Sequence, residues 1–595
     1  MERSQLSRRD MLALAAASGV VALNRWPVDA ASMLSQNGTP APSRPEGEPG
    51  QQPLPPAIRL SSEGSEDPSA SSNPTRGGAL TMVRPGTSVA NFNPAAFAQD
   101  QQISLSYLEP LVRPDPETLR PTPWLAERWE WRNNGLELLL TLRENVLWHD
   151  GSPLQARDAA FSYQVYQEDV ESPVAGLFGV VEAIEVISDL ELLIRFRTRD
   201  ANWLRNAATL PIFSWTQYGA YWDAMPVADQ TLSRFDWSQS FPVGTGPWQV
   251  ASWEDRRVAF KRFDGYWREA PWLDALVINV APGTRERIEA FTEGASQVLW
   301  PIRQADFRAL DNAEGVLHVT NAASVAFAAF NFANPEQPAG SLWTDLRVRQ
   351  AVSLAIDRER YAREVFGGWI RWDAASAVAQ PWANDPELVS PAFNPQAAAV
   401  LLTEAGWVDY DGDGVREDVN GWQLRPVAIM REDSRSELAG VLARVTRDLA
   451  AVGIALVVES LPAGEFSERW IDRRTYDLIA YAYDQLPGFT DFDLYGSAWD
   501  IRTNPAGWNP GGYANVDADA AIADFLNAVS VERQAIALRR LQRAVNDDQF
   551  GLWFGIPRDL VLVAPELAGF TPDIAWQTAR TWDLWQEFDD GVGQP

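Results

Sequence analysis

Between residues 437 and 458 an amphipathic helix, a glycine and an apolar strand follow one another, and that succession commits the chain to α/β architecture. The apolar residues of 437–451 recur at helical spacing, Gly453 supplies the left-handed turn that ends a helix, and 454–458 reads as a buried strand. The chain from Gly77 onward keeps this mixed character. A short strand is expected at 79–83 and an apolar strand at 136–142, ahead of the turn His149-Asp150-Gly151. Helical spacing is expected at 158–166, capped by Asp158 or a near neighbour, and at 347–365, with Thr344 or Asp345 as N-cap. No low-complexity tract and no solenoid-length repeat interrupts this part.

With 595 residues, 46% of them hydrophobic, the chain can bury several cores, about three or four domain-sized units by length. It has no cysteine, which excludes disulfides, thiolate nucleophiles, zinc–thiolate sites and a lipid-modified cysteine anchor. The net charge of −30 repels nucleic acid and anionic membrane surfaces. Lys261 is the only lysine, so no GxxxxGK phosphate loop exists.

Arg8 and Arg9 precede an apolar run at 11–23 and the small residues Ala30 and Ala31. The run falls short of the about 20 residues that span a bilayer and suits an export signal. Residues 1–31 therefore read as a twin-arginine-like signal, an ordinary secretory signal being the alternative. Residues 32–76, rich in Pro, Ser and Gly, are expected to form a disordered spacer.

Four stretches then carry a resemblance. The first runs from Leu108-Glu109-Pro110-Leu111 through Pro123-Trp124 and Leu142-Arg143-Glu144-Asn145 to Trp148-His149-Asp150-Gly151. The second is Val243-Gly244-Thr245-Gly246-Pro247-Trp248 with Tyr266-Trp267 and Trp272-Leu273-Asp274. Asn331-Phe332 with Leu346-Arg347-Val348-Arg349 and Ala355-Ile356-Asp357-Arg358 form the third, and Asn394-Pro395, Glu404-Ala405-Gly406-Trp407 and Asp411-Gly412-Asp413-Gly414 the fourth. In this order they resemble the family 5 extracellular solute-binding proteins of ABC importers, which include oligopeptide, dipeptide and nickel binders. Physically the segments read as scaffold: glycines at a chain crossing, an Asp-Gly turn, and Arg347 and Arg349 on the solvated side of a helix.

The resemblance implies an α/β, two-lobed periplasmic-binding-protein-like fold of class II with an extra domain inserted in lobe one. Lobe one would comprise 77–112, 240–325 and 554–595, the inserted domain 113–239, and lobe two 326–553. Such a chain is exported to the periplasm or the outer face of the cytoplasmic membrane. As a monomer without cofactor or catalysis, it holds a small molecule, peptide by family default, between closing lobes and delivers it to the membrane permease subunits of an ABC importer.

In peptide-binding relatives an aspartate after a Tyr-Asp strand pairs with the ligand's amino terminus. Tyr476-Asp477 opens that region here, and Asp484 and Asp491 are the two positions that match, the run Asp491-Phe492-Asp493-Leu494-Tyr495 being closer to members with other ligands. Tyr481, Tyr483, Trp499, Trp508 and Trp300 are rings able to stack on sugars or apolar side chains, or to fill core. Asp409, Asp411 and Asp413, with Gly414 in sixth place, imitate the start of a calcium loop, although Asn420 stands in the twelfth; a plain turn accounts for them as well. His149 and His318 are the only histidines and the only candidates for imidazole chemistry. Three other readings stay open: an oligosaccharide-binding importer component, a secreted hydrolase using paired carboxylates, and an adhesive surface protein.

Overall fold

The computed structural model describes residues 54–61, 76–89, 93, 101–237, 241–321, 324–337, 342–372, 378–434, 436–485, 487–488, 491–505, 507–573, 578–579 and 584–586. Arg8, Arg9 and the expected export signal lie outside these residues. The chain divides into two compact units, one built on Leu54–Thr320 with the segment from Asp559 onward, the other on Asn321–Arg558. The strand Gly551–Val563 runs through the boundary, giving its first part to the second unit and its end to the first.

In the first unit, strands Trp248–Glu254, Arg257–Arg262 and Ala275–Ala281 form an antiparallel meander. Ala79–Pro85 then pairs in parallel with Ala275–Ala281, and Val298–Leu299 with Ala79–Pro85. Helix Thr284–Thr292 makes the crossover that two parallel strands require. A separate antiparallel sheet has the order Ala126–Arg132, Glu137–Leu142, Glu191–Phe196, Val181–Ser188. Helix Ala156–Glu168 packs on it, with Tyr163, Phe178 and Trp203 meeting edge-on or tilted in the core. That helix begins two residues before the expected start, with Gln155 as N-cap, and Asp158 closes a capping box by accepting from the Gln155 N–H at 2.9 Å.

Two of the recurring segments meet in this unit around one buried carboxylate. Glu109 accepts from Trp124 Nε1 at 2.8 Å and Tyr266 OH at 2.8 Å on one oxygen, and from Thr245 Oγ1 at 2.9 Å and Trp267 Nε1 at 2.9 Å on the other. Burial pushes this carboxyl up from its ordinary value, and the four donors oppose the shift. Arg113 and Arg268 lie over the Trp124 ring at 4.8 and 4.5 Å, and Arg143 over Trp267 at 4.9 Å, so positive charge backs the two indoles that donate. At the neighbouring crossing a Cβ on Gly244 would stand 1.8 Å from the Tyr107 carbonyl oxygen, which is why a glycine is required. His149 accepts from the Gly244 N–H at 3.2 Å on Nδ1 and donates from Nε2 to the Gly246 carbonyl at 2.9 Å. Burial lowers it to about 4. Both ring nitrogens are engaged in this tie, which leaves no lone pair for a metal or a proton-transfer role.

The spacer expectation needs one correction: Ile58–Leu60 forms a short strand in parallel register with Gly315–Leu317, its backbone pairing and the burial of Ile58 offsetting the ordering of this stretch.

The second unit contains the α/β succession. Strand Val427–Arg431, helix Ser436–Ala450 and strand Val457–Leu461 make a parallel βαβ unit, with Gly453 at φ 87° after the helix. The last strand starts three residues later than expected and lies at the sheet edge. Ile454 and Leu456 are buried in the approach to it, whereas Val457 and Val458 are 41% and 37% exposed. The expected helix over 347–365 is two helices, Leu346–Leu354 and Arg358–Phe366. Asp345 caps the first; Asp357 caps the second by accepting from the Arg360 N–H at 2.9 Å, and that cap interrupts the run. Arg349 is also corrected. It is buried, donating to Asp548 Oδ1 at 2.6 Å and to the Asp548 carbonyl at 2.9 Å, with its guanidinium over Phe332. Its partner lies 199 residues away, so helix spacing alone does not reveal its burial. Among the described residues no helix is long and apolar enough to cross a membrane.

Candidate ligand site

Strand Ser324–Phe330 lies between Leu478–Asp484 and the start of Gly551–Val563 in the second unit, and its register sets Phe327 opposite both Tyr481 and Trp553. Directly opposed residues share a face of the sheet, so these three rings pack side by side, Phe327 lying 4.6 Å from Tyr481 and 5.3 Å from Trp553. Trp470, on the helical turn Glu468–Arg473, extends the row at 5.9 Å from Tyr481, and Trp508 follows at 5.7 Å. Phe327 and Trp553 are buried, whereas Tyr481, Trp470 and Trp508 are half-buried. The row therefore runs from a closed floor to partly open rings that retain apolar area for a ligand.

An acidic pair stands beside it. Asp491 precedes the short helix Phe492–Tyr495; its Oδ2 accepts from Gln485 Nε2 at 2.8 Å, and Gln485 Oε1 is in turn held by the Ala379 N–H at 2.7 Å. Asp493 is raised to about 7, first by burial and then by the charge of Asp491. Burial also holds the Tyr481 hydroxyl protonated well above its usual range, and the charges of Asp491 and Asp493 add to that shift. Asp491, Asp493 and Tyr481 are thus coupled electrostatically.

The structure sorts the sequence candidates accordingly. Tyr481, Trp508 and Asp491 come together. Trp499 packs edge-on against Phe492 at 5.4 Å and fills the space over Gly496, a loop-holding role. Trp300 belongs to the first unit and packs against its hydrophobic core. Tyr483 and Asp484 occupy the end of strand Leu478–Asp484, paired with Val325 and Ser324, and their side chains lie outside the described residues. Asp409, Asp411 and Asp413 form a separate exposed group whose ligand oxygens lie within 4.8 Å of one another. Sequence reasoning passed over Trp470 and Asp493. The i, i+4 spacing of Phe466 and Trp470, whose rings are 5.7 Å apart, was a usable signal for the first; only tertiary burial reveals the second.

Residues 120–502 match the family described as bacterial extracellular solute-binding proteins, family 5 Middle. The oligopeptide-binding protein AppA of Bacillus subtilis (strain 168) is 23% identical over 468 residues, 75% of this chain and 80% of that protein. The dipeptide-binding protein of Escherichia coli (strain K12) is 27% identical over 341 residues, covering 53% and 61% of the two. Among solved structures, AppA from Bacillus subtilis in complex with a nonapeptide superposes with a TM-score of 0.64 at 20% identity, covering 87% of this chain and all of that one. NikZ from Campylobacter jejuni in complex with Ni(L-His) gives 0.65 at 20% identity, covering 85% and 99%. These superpositions establish a shared fold.

Proposed function

Because the chain belongs to the bacterial extracellular solute-binding proteins of family 5, we propose that it captures a peptide outside the cytoplasm and passes it unchanged to the permease of an ABC importer. The observation that carries the ligand class is the Asp491–Asp493 pair beside the half-open row Tyr481–Trp470–Trp508. A peptide's amino terminus offers a cation within one residue of an apolar side chain, and this site offers the Asp491 carboxylate close enough to Tyr481 to act on its hydroxyl. The acids come from one turn and form a single patch, whereas a glycosidase needs its two carboxylates on either side of the scissile bond. That arrangement supports binding without turnover. A twin-arginine-type signal containing Arg8 and Arg9 would deliver the chain, acting as a monomer, to the outer face of the membrane.

The aromatic row also favours a second ligand class, oligosaccharides, whose ring faces stack on Trp and Tyr. A thermal-shift and calorimetry series on the purified protein separates the two. Short peptides with a free amino terminus, their N-acetylated forms and oligosaccharides are compared, with mass spectrometry of each compound after incubation. Free-amine peptides at 100 times their dissociation constant should stabilise the protein by about 2.7 kcal/mol. Acetylation should remove most of that. A shift from oligosaccharides alone would replace the peptide assignment, and consumption of any compound would overturn the binding role.

A further inference from the structure

The second unit holds an open cavity of about 610 Å³ that shares no lining residue with the aromatic row or the acidic pair. Its size lies within the range of small-molecule sites. Two indoles line it. Trp407 follows helix Pro395–Glu404, packs against the hydrophobic core of this unit and is half-buried. Trp422 sits on a tight hairpin and is 46% exposed. Asp418 builds that hairpin. Its carboxylate accepts from the Asn420 and Trp422 N–H groups, both at 2.9 Å, and its own N–H donates to the Trp422 carbonyl at 3.0 Å. The Gly421 N–H returns to the Asp418 carbonyl at 2.9 Å, with Gly421 at φ 80°. The backbone of Trp422 is therefore braced, while among the described residues no other ring packs on its indole, which keeps apolar area for a ligand.

The polar groups around these rings have bonding capacity to spare. Arg425 donates from Nε to Gln423 Oε1 at 2.7 Å, and among the described residues its two terminal nitrogens meet no acceptor. Gln337 donates from Nε2 to Asp477 Oδ1 at 2.8 Å, which leaves its Oε1; Asp411 Oδ1 is taken by the Asp413 N–H at 3.0 Å, which leaves Oδ2. Spare donors and spare acceptors thus line one cavity. A phosphate-like anion would meet the carboxylates of Asp411 and Glu417, and a simple cation would meet the Arg425 guanidinium. A hydroxyl both donates and accepts, so a neutral polyhydroxyl compound satisfies both sets. A pyranose adds a face of C–H groups that lies flat on an indole.

We propose that this cavity is a saccharide site, separate from the transport site, in which Trp407 and Trp422 take the face of a pyranose unit and Arg425, Gln337 and Asp411 its hydroxyls. Such a site is independent of what the aromatic row binds. A free oligosaccharide and a polymeric glycan present the same ring, and two assays separate them.

The full chain is titrated calorimetrically with cellobiose, maltose and N,N′-diacetylchitobiose, and run through gels containing hydroxyethylcellulose, soluble starch or glycol chitin. Trp422→Ala and Arg425→Gln, both at exposed positions, are compared with Trp470→Ala in the aromatic row. At least one sugar should bind the wild type saturably. Trp422→Ala should weaken it about tenfold or more and Arg425→Gln several-fold, while Trp470→Ala leaves it unchanged. Both cavity variants should keep the wild-type melting temperature and the wild-type response to peptides. Heat from the disaccharides would assign a free sugar, and retardation in the gels alone a polymer. Absence of saturable binding to every disaccharide and polymer would overturn the assignment. So would sugar binding that survives both cavity variants, or that disappears with Trp470→Ala and so belongs to the aromatic row. Should Trp422→Ala fail to fold, Arg425→Gln alone decides between these outcomes.

Discussion

Replacing Glu109 by glutamine tests whether the recurring segments of the first unit are held together by one carboxylate. The native group receives four hydrogen bonds, two on each oxygen, and each oxygen takes one of them from an indole N–H. An indole only donates, whereas the Thr245 and Tyr266 hydroxyls can rotate and accept. Whichever oxygen becomes the amide NH2, it therefore faces Trp124 or Trp267 with donor against donor. One buried N–H is left unsatisfied, costing about 1–3 kcal/mol, and the remaining bonds lose their charge assistance, so a total of about 3 kcal/mol is expected. For a unit of this size that lowers the melting midpoint by roughly 6–10 °C. Glu109→Ala orphans all four donors and should cost more. Removing the indole as well, in Glu109→Gln/Trp267→Phe, should give a double-mutant cycle that is non-additive by about 1–2 kcal/mol. Calorimetric melting of the four proteins at one pH makes the comparison. A Glu109→Gln protein within about 0.5 kcal/mol of wild type would refute the network as a source of stability.

Two further outcomes follow from the geometry. Asp493 has its folded value raised to about 7, so the native state holds a proton that the unfolded chain releases near the ordinary carboxyl value; the associated stability is full at low pH and is lost as pH rises through about 7. Asp493→Asn should flatten that slope and leave the variant more stable than wild type at pH 8, and urea midpoints with equal slopes from pH 4 to 8 would contradict it. Gly244→Ala drives a Cβ against the Tyr107 carbonyl oxygen and should cost about 3 kcal/mol or more, read as a lower melting temperature, since backbone rather than a flexible side chain must yield.

What the sequence determined by itself was whatever depends on neighbours within a turn or two. The helix Ser436–Ala450 with its Gly453 stop and a strand after it, and a cap at Thr344 or Asp345, were legible, because spacing, capping and left-handed φ are local properties. The recurring segments also identified the scaffold before any contact was visible. Tertiary structure alone decided the electrostatics. Glu109 looks like any surface acid until Thr245, Tyr266 and Trp267, 136 to 158 residues away, close over it, and Arg349 looks solvated until Asp548 arrives. For the same reason the supply of aromatic residues gave no ranking among Trp300, Trp499 and Trp508, nor did it single out Trp470. Whether a ring fills core or stays half-open, and whether an acid keeps its proton near neutrality as Asp493 does, is set by desolvation and by partners distant in sequence, which only the folded chain brings together.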